Sequence, residues 1–475
     1  MLDSGFRWRI PEATKNMNVV GEYDFIQHDS VTANQTGDAS NQDSHGTITL
    51  STVGGYKEGQ LVSPAFGASF ILAKTEYVPS ETNIEEDNWV AGIEWEEQNG
   101  ADVVSSSLGY SEFDAGQKSY MYADMNGRTA TTSKAAVLAA RRGVVVCSAM
   151  GNEGQTAWHY LTSPADADSI LSVGAVSSSG VVASFSSAGP TSDGRTKPEI
   201  VAQGVSTYAA TTSPASYGNF NGTSLSTPLA AGAAALILSA HPELTPIQVR
   251  EALRNTASNA ASPNNSIGWG VINTYKAILY YGMVLSTDPE IIVLPDSSTS
   301  VGVFVVSNAA VKKDSVLLYY STNGGATFGT PLPMTLTVVV DSSTNSGMYT
   351  AIIPKQSAGT AVKFYVFAVD TTNKSRITKV EGRPPVPTTF ELYQNYPNPF
   401  NPSTIIQYTL DRPNHTTLKV YDLLGREVAT LVDEYQTAGL KPPVHFDASR
   451  LASGVYLYRL KSGEFSAVKK LVLLK

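Results

Sequence analysis

The stretch NGTSLSTP (Asn221–Pro228), followed by LAAGAAALILSA (Leu229–Ala240), decides how this chain can fold. Its second part is apolar and alanine-rich, which predicts a buried helix. Ser224 stands on the turn that opens this helix, where unpaired N–H groups and the positive helix end can stabilise a developing negative charge. Gly222 gives the backbone room for a close approach. Helix capping is the alternative role of such a serine. Motifs elsewhere in the chain must therefore decide between a cap and a nucleophile.

The composition predicts a multidomain globular protein. The chain has 475 residues, of which 42% are hydrophobic and 16% charged. A net charge of −9 argues against nucleic acid or an anionic membrane as a partner. The single cysteine, Cys147, excludes an intrachain disulfide, and its setting VVVCSA predicts a buried thiol. The longest apolar run, Leu229–Ala240, is shorter than a membrane-spanning helix, so we expect no membrane span.

Strand and helix patterns alternate in the first part of the chain. The predicted strands are Phe70–Lys74, Ala101–Ser106, Val144–Ala149 and Ile170–Val176, and the predicted helices are Asn83–Glu97 and Thr132–Arg142. A capping box and a proline predict another helix after Thr245. This alternation predicts an α/β domain over residues 1–283, with a mostly parallel sheet flanked by helices. His45 falls in a polar region that we predict to be a loop.

The pattern changes from about residue 284, where short β-rich runs replace the alternation. They include Ile291–Leu294, Val301–Val306, Val316–Tyr320, Met348–Ile353 and Val362–Val369. We predict an immunoglobulin- or fibronectin-like β-sandwich over residues 288–383. Arg383–Pro387 predicts a stiff linker. Residues 388–475 are again β-patterned and predict a third, all-β domain.

Three short motifs together suggest nucleophilic catalysis. Asp3 lies in Asp-Ser-Gly, His45 in His-Gly-Thr and Ser224 in Gly-Thr-Ser-Leu-Ser-Thr-Pro. A serine hydroxyl needs a neighbouring base, and that base needs an acceptor that fixes its tautomer and stabilises its cation. Each motif alone has a structural explanation, a turn for the Asp and a structural role for the His. The order Asp, His, Ser on a parallel α/β domain is the order found in subtilisin.

Asn152 supplies a fourth element of this chemistry. It follows the predicted strand Val144–Ala149, at the carboxyl end where open α/β sheets form their sites. Its side-chain amide can therefore donate to an oxyanion beside the backbone N–H of Ser224. A turn asparagine before a glycine-rich segment is the alternative.

These motifs resemble the subtilase family of subtilisin-like serine endopeptidases over residues 1–283. The resemblance rests on LDSGF, SHGT, SSSLGY, SAMGNEG, SPADADSILSVGAV, FSSAGP, KPEIVAQG and NGTSLSTPLAAG. It implies that Asp3, His45 and Ser224 form a catalytic triad, with Asn152 as an oxyanion donor. The implied reaction is peptide hydrolysis through an acyl-enzyme, with a protein or peptide as substrate and no cofactor required for catalysis.

The resemblance also implies a substrate cleft. Ser107, Leu108 and Gly109 would pair with an extended substrate, a mode known as β-augmentation. Ala149, Gly151, Pro164 and Ala165 would line the primary specificity pocket, and Glu153 would stand near its rim. A large apolar or a basic substrate residue is then expected there.

The last 86 residues resemble the C-terminal sorting domain of type IX secretion cargo. The resemblance rests on the asparagine- and proline-rich lead Phe390–Thr404 and on the ending from Ser453 to Lys475. It implies that the type IX secretion machinery is a partner and that the protein is secreted or held at the cell surface. We expect a monomer.

The chain departs from the subtilase pattern at its start and after His45. Only Met1 and Leu2 precede Asp3, where the family has a buried strand, and no signal peptide is recognisable. We expect a clipped form of a longer precursor that lacks the first strand, signal peptide and propeptide. The stretch between His45 and Ser63 lacks an oxygen-rich loop, so a structural calcium ion has no clear site, and no histidine pairs suggest another metal. A non-catalytic exported binding or adhesion protein on this scaffold, or an inactive fragment, is the alternative.

Overall fold

The computed structural model divides the chain into two compact units, Met1–Tyr281 and Gly282–Lys475. It describes residues 1–294, 296, 298–312, 314–357, 360–378, 381–383, 390–395, 397–410, 414–436, 439–441 and 444–474. The predicted linker Arg383–Pro387 and the predicted start of the third domain at residue 388 fall on residues that, after Arg383, lie outside these ranges.

A seven-stranded sheet forms the centre of the first unit. Its strands are β1 (Leu2–Asp3), β2 (Asn18–Asp24), β3 (Ser69–Lys74), β4 (Val103–Ser106), β5 (Val145–Ala149), β6 (Leu171–Val176) and β7 (Ile200–Gln203). They lie in the order β2-β3-β1-β4-β5-β6-β7, and every neighbouring pair is parallel. Leu2 in β1 pairs with Ala73 on one side and with Ser106 on the other. The carboxyl ends of all seven strands therefore share one edge of the sheet.

Helices and short hairpins surround this sheet. The helices are α1 (Ser44–Gly54), α2 (Asn83–Gln98), α3 (Thr131–Arg142), α4 (Thr223–Ala240), α5 (Pro246–Thr256) and α6 (Thr274–Ile278), with a 3₁₀ turn at Tyr122–Asp124. The hairpins pair Tyr56–Lys57 with Leu61–Val62, and Thr207–Ala210 with Tyr217–Phe220. Thr245 caps α5 through the predicted capping box, with Pro246 in the first turn.

The sheet lies between two apolar layers. Along β5, Val145 and Cys147 belong to the core shared with α1 and α4, whereas Val146 belongs to the core shared with α2 and α3. Successive side chains of a strand point to opposite faces, so covering both faces requires an apolar residue at nearly every strand position. Burial raises the pKa of the Cys147 thiol to about 12, so this thiol is inert at neutral pH.

Helix α4 begins at Thr223, six residues before the predicted start at Leu229. The predicted helix started directly after Pro228, yet α4 contains this proline. Proline has no N–H to donate to the carbonyl four residues earlier, here that of Ser224. The Ser107 hydroxyl donates to this carbonyl instead, at 2.9 Å, so the helix loses no carbonyl partner at this point.

The length of α4 bears on the expectation that the chain has no membrane span, which rested on the shorter run Leu229–Ala240. At 18 residues, α4 is long and apolar enough to cross a bilayer by length and composition, although 67% of it is buried inside the unit. Such burial is typical of the core helix of a soluble domain. Its N-terminal turn carries Ser224, as the sequence indicated.

The second unit consists of antiparallel β-sheets. One sheet contains Val284–Leu285, Glu290–Val293, Thr299–Val306, Thr335–Asp341 and Ser346–Ile353, and another contains Leu317–Ser321, Leu332–Pro333, Val362–Val369, Ser375–Ile377 and Glu381–Arg383. The remaining strands are Glu391–Leu392, Ser403–Ile406, Tyr408–Leu410, Asn414–Tyr421, Glu427–Gln436, Gly439–Leu440, Val444–Asp447, Gly454–Ser462 and Phe465–Leu473.

Two separate apolar cores hold these sheets. Val303 and Val366 come from the first two sheets and belong to one core, which makes this region a sandwich. Tyr408, Leu418 and Leu460 belong to the other core. In Val362–Val369, buried residues alternate with more exposed ones, as expected for strands that bury one face.

Candidate active site

Asp3 and His45 meet at the carboxyl edge of the central sheet. Asp3 ends β1 and is fully buried, and His45 lies in the first turn of α1 rather than in the predicted loop. Asp3 Oδ1 is 2.7 Å from His45 Nδ1. The backbone N–H of Ser4 donates to the same oxygen at 2.7 Å, and Thr49 Oγ1 donates to Oδ2 at 3.0 Å. Both carboxylate oxygens are thus held in place.

This contact prepares the imidazole to act as a base. Burial disfavours the cation, but the charge of Asp3 and its hydrogen bond outweigh burial, so the pKa of His45 is raised above its usual 6.5. Since Nδ1 faces Asp3, Nε2 remains as the ring nitrogen that can exchange a proton with a substrate. The His45 side chain is 44% exposed, which leaves the ring open to solvent and ligands.

Ser224 lies at the N-terminus of α4, against the end of β4. Its side chain is nearly buried, and its hydroxyl donates to the Ser107 carbonyl at 3.3 Å. Within the described part of the chain, this is the hydrogen bond of Ser224 Oγ, and none joins it to His45. Catalytic hydrogen bonds are often long or misaligned in a ligand-free site. The structure therefore joins Asp3 to His45 and leaves the bond between His45 and Ser224 as a prediction.

The amide of Asn152 has a fixed orientation beside the start of α4. Its Oδ1 accepts from the Thr223 backbone N–H at 2.9 Å and from Thr223 Oγ1 at 3.1 Å. Because both donors approach the oxygen, the Nδ2 group is left to donate elsewhere. Gly222 has φ +144, and a Cβ on it would lie 3.8 Å from both amide atoms. Glycine therefore permits this turn and keeps the space beside the amide open.

The predicted cleft residues lie on three neighbouring segments. Tyr110 and Ser163 exchange backbone hydrogen bonds of 2.8 and 3.1 Å, which fix Ser107–Gly109 beside Pro164. The Thr162 N–H donates to the Met150 carbonyl at 3.2 Å, which joins Ala149–Gly151 to the same segment. These contacts bring the predicted cleft segments together.

The cleft residues differ in exposure, and this difference limits their roles. Ala149 and Ala165 are buried, so they support the cleft from behind, whereas Leu108 and Gly151 are partly exposed. Glu153 is partly buried, and its backbone N–H donates to Ser187 Oγ at 2.9 Å. The position of Glu153 near the rim of the primary specificity pocket stays a prediction.

Sequence reasoning missed three threonines of this site. Thr49 holds Asp3, Thr223 orients Asn152, and Thr162 lies between the cleft segments. Only Thr49 offered a usable signal, because it lies four residues after His45 and therefore on the same face of a helix. That signal disappears when the segment is taken for a loop.

Two acidic regions near the site bear on metal binding. Oxygens of Glu76, Glu81 and Glu85 lie within 4.8 Å of one another. Burial and neighbouring carboxylates raise the pKa of Glu81 to about 7. The cluster therefore carries less negative charge near neutral pH than three free carboxylates would. At the end of β3, the buried Lys74 ammonium pairs at 2.8 Å with Asp24 at the end of β2 and at 2.8 Å with Asp38 in the loop before α1. The Lys74 ammonium therefore supplies the positive charge beside these two carboxylates.

A buried aspartate bonded to a histidine, a serine at a helix N-terminus and an oriented amide on a parallel α/β sheet define the class of serine hydrolases. Residues 1–270 match the model of the subtilase family. The chain belongs to this family.

Two subtilisins agree with this assignment. Subtilisin E of Bacillus subtilis (strain 168) is 34% identical over 282 residues, covering 58% of this chain and 64% of the relative. The chain thus spans less than two thirds of that protein. A subtilisin of Bacillus pumilus is 34% identical over 281 residues, covering 58% of this chain and 89% of the relative. A solved cold adapted subtilisin-like serine proteinase is 27% identical, with a TM-score of 0.43 over 57% of this chain and 85% of its own.

The end of the chain has a separate match. Residues 394–474 match the model of a secretion system C-terminal sorting domain. This domain corresponds to the second apolar core of the C-terminal unit. It marks the chain for export, to the cell surface or into the medium.

Proposed function

We propose that this chain is an exported serine endopeptidase that hydrolyses peptide bonds in proteins through an acyl-enzyme on Ser224. The observation that carries the proposal is the 2.7 Å contact between Asp3 Oδ1 and His45 Nδ1 in a member of the subtilase family. A carboxylate held by Thr49 and Ser4 fixes the tautomer of this imidazole and stabilises its cation. A serine that only caps a helix would need neither a histidine with a fixed tautomer nor a carboxylate that stabilises the histidine cation.

Acylation begins when Ser224 Oγ leaves the Ser107 carbonyl and turns to His45 Nε2. His45 takes the hydroxyl proton while Oγ forms a bond to the peptide carbonyl carbon. The Asp3 carboxylate stabilises the resulting imidazolium. His45 then gives the proton to the leaving amine as the C–N bond breaks. A water molecule attacks the acyl-enzyme by the same steps and releases the acid.

The oxyanion of each tetrahedral intermediate is stabilised from one side of the cleft. Asn152 Nδ2 donates to it together with the backbone N–H of Ser224, which is among the unpaired donors at the start of α4. Thr223 keeps the amide in this orientation through its two bonds to Oδ1. Loss of one such donor costs about 10²–10³ in kcat, a magnitude measured in subtilisin.

The substrate is a protein or peptide in extended conformation. Ser107–Gly109 follows β4 at the edge of the cleft, where its backbone can pair with a substrate strand. This chemistry requires neither a metal ion nor an organic cofactor, because the three side chains supply the nucleophile, the base and its support. The type IX secretion machinery is the partner that we propose for the sorting domain, and the protein acts as a monomer.

A fluorophosphonate probe tests this proposal on the full chain. We expect covalent labelling of the parent and hydrolysis of unfolded protein substrates by it, and loss of both labelling and hydrolysis in Ser224→Ala. Ser226→Ala is the matched control, since Ser226 is buried two residues away and its hydroxyl has no partner among the described residues. A folded parent that neither reacts nor hydrolyses would support the non-catalytic binding protein instead.

A further inference from the structure

Two contacts hold the ends of the segment Ser107–Gly109, which we expect to pair with an extended peptide. At its start, the Ser107 hydroxyl donates to the Ser224 carbonyl at 2.9 Å. Directly after its end, the Tyr110 hydroxyl donates to Glu76 Oε1 at 2.6 Å, and both side chains are buried. The first contact reaches the proposed nucleophile, whereas the second reaches the chain that follows β3.

Gln42 joins the chain after β3 to the turn that follows β1. Its side chain is fully buried in the loop before α1. Nε2 donates to the carbonyls of Ser4 and Glu76, and Oε1 accepts from the Val78 N–H at 3.1 Å. Both N–H groups of the amide are therefore used, and they bind two different segments of the chain.

Ser4 carries this connection to the pair of Asp3 and His45. Its backbone N–H donates to Asp3 Oδ1 at 2.7 Å, and the same oxygen contacts His45 Nδ1. A shift of Ser4 would therefore move the donor that holds this carboxylate in place.

These contacts form one continuous buried path, which we call the Gln42 network. Its members are Tyr110, Glu76, Gln42 and Ser4. Burying a carboxylate and an amide is unfavourable unless they are hydrogen-bonded. A buried network whose members are bonded imposes one arrangement on the segments that it joins. The Gln42 network joins the segment expected to bind the peptide to the carboxylate that supports the base.

We propose that Gln42 is a positioning residue that acts through Glu76 and Ser4 and fixes the place of the bound peptide relative to His45; this role rests on the proposed function. Ser224 is fixed to the other end of the same segment, and none of the described hydrogen bonds joins it to His45. The nucleophile and the base are therefore aligned through the segment that holds the peptide. A misplacement of about 1 Å at such a site costs up to roughly 100-fold in rate.

Two variants remove different bonds of the Gln42 network. Gln42→Met removes the bonds of the amide and keeps a side chain of similar length. Tyr110→Phe removes the hydroxyl that binds Glu76 and keeps the ring in the core. Ser106→Ala is the matched control, because it removes a buried bond of 2.8 Å from Trp89 Nε1 that lies outside the network.

Two reagents separate the geometry of the triad from the place of the peptide. A small alkyl fluorophosphonate reacts with Ser224 and is too short to pair with Ser107–Gly109. A peptide amide with four residues on the acyl side of the scissile bond must pair with this segment. The full-length parent, each single variant, the double variant and the control are compared by the second-order rate of the probe and by kcat and KM for the peptide.

We expect Gln42→Met to lower kcat for the peptide by roughly 10- to 100-fold, with KM and the probe rate near the parent values. The segment keeps its backbone edge, so the peptide still binds, but it is held in the wrong place. Tyr110→Phe should lower kcat in the same way. The double variant should be no slower than the slower single variant, because both changes break one network. Ser106→Ala should lower the free energy of unfolding and keep the kcat of the parent.

Two results would overturn the role of Gln42 and leave the proposed function intact. An equal loss of rate for the probe and the peptide would show that Gln42 supports the triad itself rather than the place of the peptide. Losses that multiply in the double variant would show that Gln42 and Tyr110 act separately. If Gln42→Met does not fold, Tyr110→Phe decides, because an unchanged kcat for the peptide would contradict the proposed role. A parent that reacts with neither reagent would remove the proposed function and this role together.

Discussion

The two units bury different kinds of side chain, although both are built around β-sheets. In the first unit, Asp3, Lys74, Asp166, Lys197 and Glu199 are all buried. In the described part of the second unit, the buried polar side chains are serines and threonines with Asp370 and Asn395 beside them. Burying a charge is unfavourable unless it is paired and hydrogen-bonded. The unit that carries the candidate site therefore contains buried charged groups that need partners. The other unit is stabilised mainly by strands whose apolar residues alternate with exposed ones.

The largest effect should come from removing the charge that supports His45. Asp3→Asn is expected to lower kcat by about 10⁴, a magnitude known for the equivalent change in a Ser-His-Asp enzyme. The pH profile gives a second readout. Since the Asp3 charge raises the pKa of His45 and the base must be neutral, activity of the parent rises as pH increases through that raised pKa. Removing the charge should move this acid limb to lower pH.

Thr49→Val is the matched control for this prediction. It removes the 3.0 Å bond to Asp3 Oδ2 and leaves the carboxylate charge in place. The loss of kcat should therefore be smaller, with an acid limb near that of the parent. An acid limb that stays in place in Asp3→Asn would contradict the assigned electrostatic role of Asp3.

A smaller effect, on stability, should follow from Lys74→Met. The change leaves the buried Asp24 and Asp38 carboxylates without their ammonium partner, and breaking such a pair typically costs about 3–5 kcal/mol. Chemical denaturation should show a lower free energy of unfolding. Lys419→Met removes a surface contact with Glu427 in the second unit and should leave stability unchanged. Equal losses of unfolding free energy in the two variants would contradict the idea that buried charge pairs stabilise the first unit more than surface ion pairs stabilise the second.

The smallest of these effects should separate stability from chemistry. Leu318 is fully buried in the sandwich core, and Leu318→Ala should cost about 2–5 kcal/mol of unfolding free energy. Its kcat/KM, measured where the chain is folded, should equal that of the parent. Leu50→Ala in α1 makes a similar cavity five residues after His45, and we expect it to lower kcat/KM as well. Reduced kcat/KM in Leu318→Ala would show that the second unit takes part in catalysis.

The sequence predicted the parallel α/β unit and the β-rich region well, because their periods differ clearly. Strands such as Val362–Val369 agree with their predicted bounds, since one buried face imposes strict alternation. Helix α1 was missed because SHGTITLSTVG is rich in threonine and serine and contains two glycines. Those residues have low helix propensity, and burial against the sheet overrides it.

Candidate site residues could be predicted where a short motif fixes both residue and place. Asn152 and Ser224 stand at a strand end and a helix start, so the pattern of elements places them at one sheet edge. Asp3 was identified from its motif alone, because the chain was expected to lack the first strand, which the structure contains as the short β1. Thr223 and Thr162 could not be predicted, because their partners are distant in the chain and depend on packing. No sequence pattern specifies whether His45 and Ser224 share a hydrogen bond, because side-chain conformation depends on packing.

The paired serines at the end of β4 have a mechanical consequence. Ser107 and Ser224 are joined twice, since each hydroxyl donates to the carbonyl of the other. Pro228 makes one of these links available by leaving the Ser224 carbonyl free within α4. When the Ser224 hydroxyl turns to His45 during acylation, its own bond to the Ser107 carbonyl is lost, but the bond from the Ser107 hydroxyl remains. The start of α4 therefore stays anchored to the strand that would hold a bound peptide while the attacking oxygen rotates.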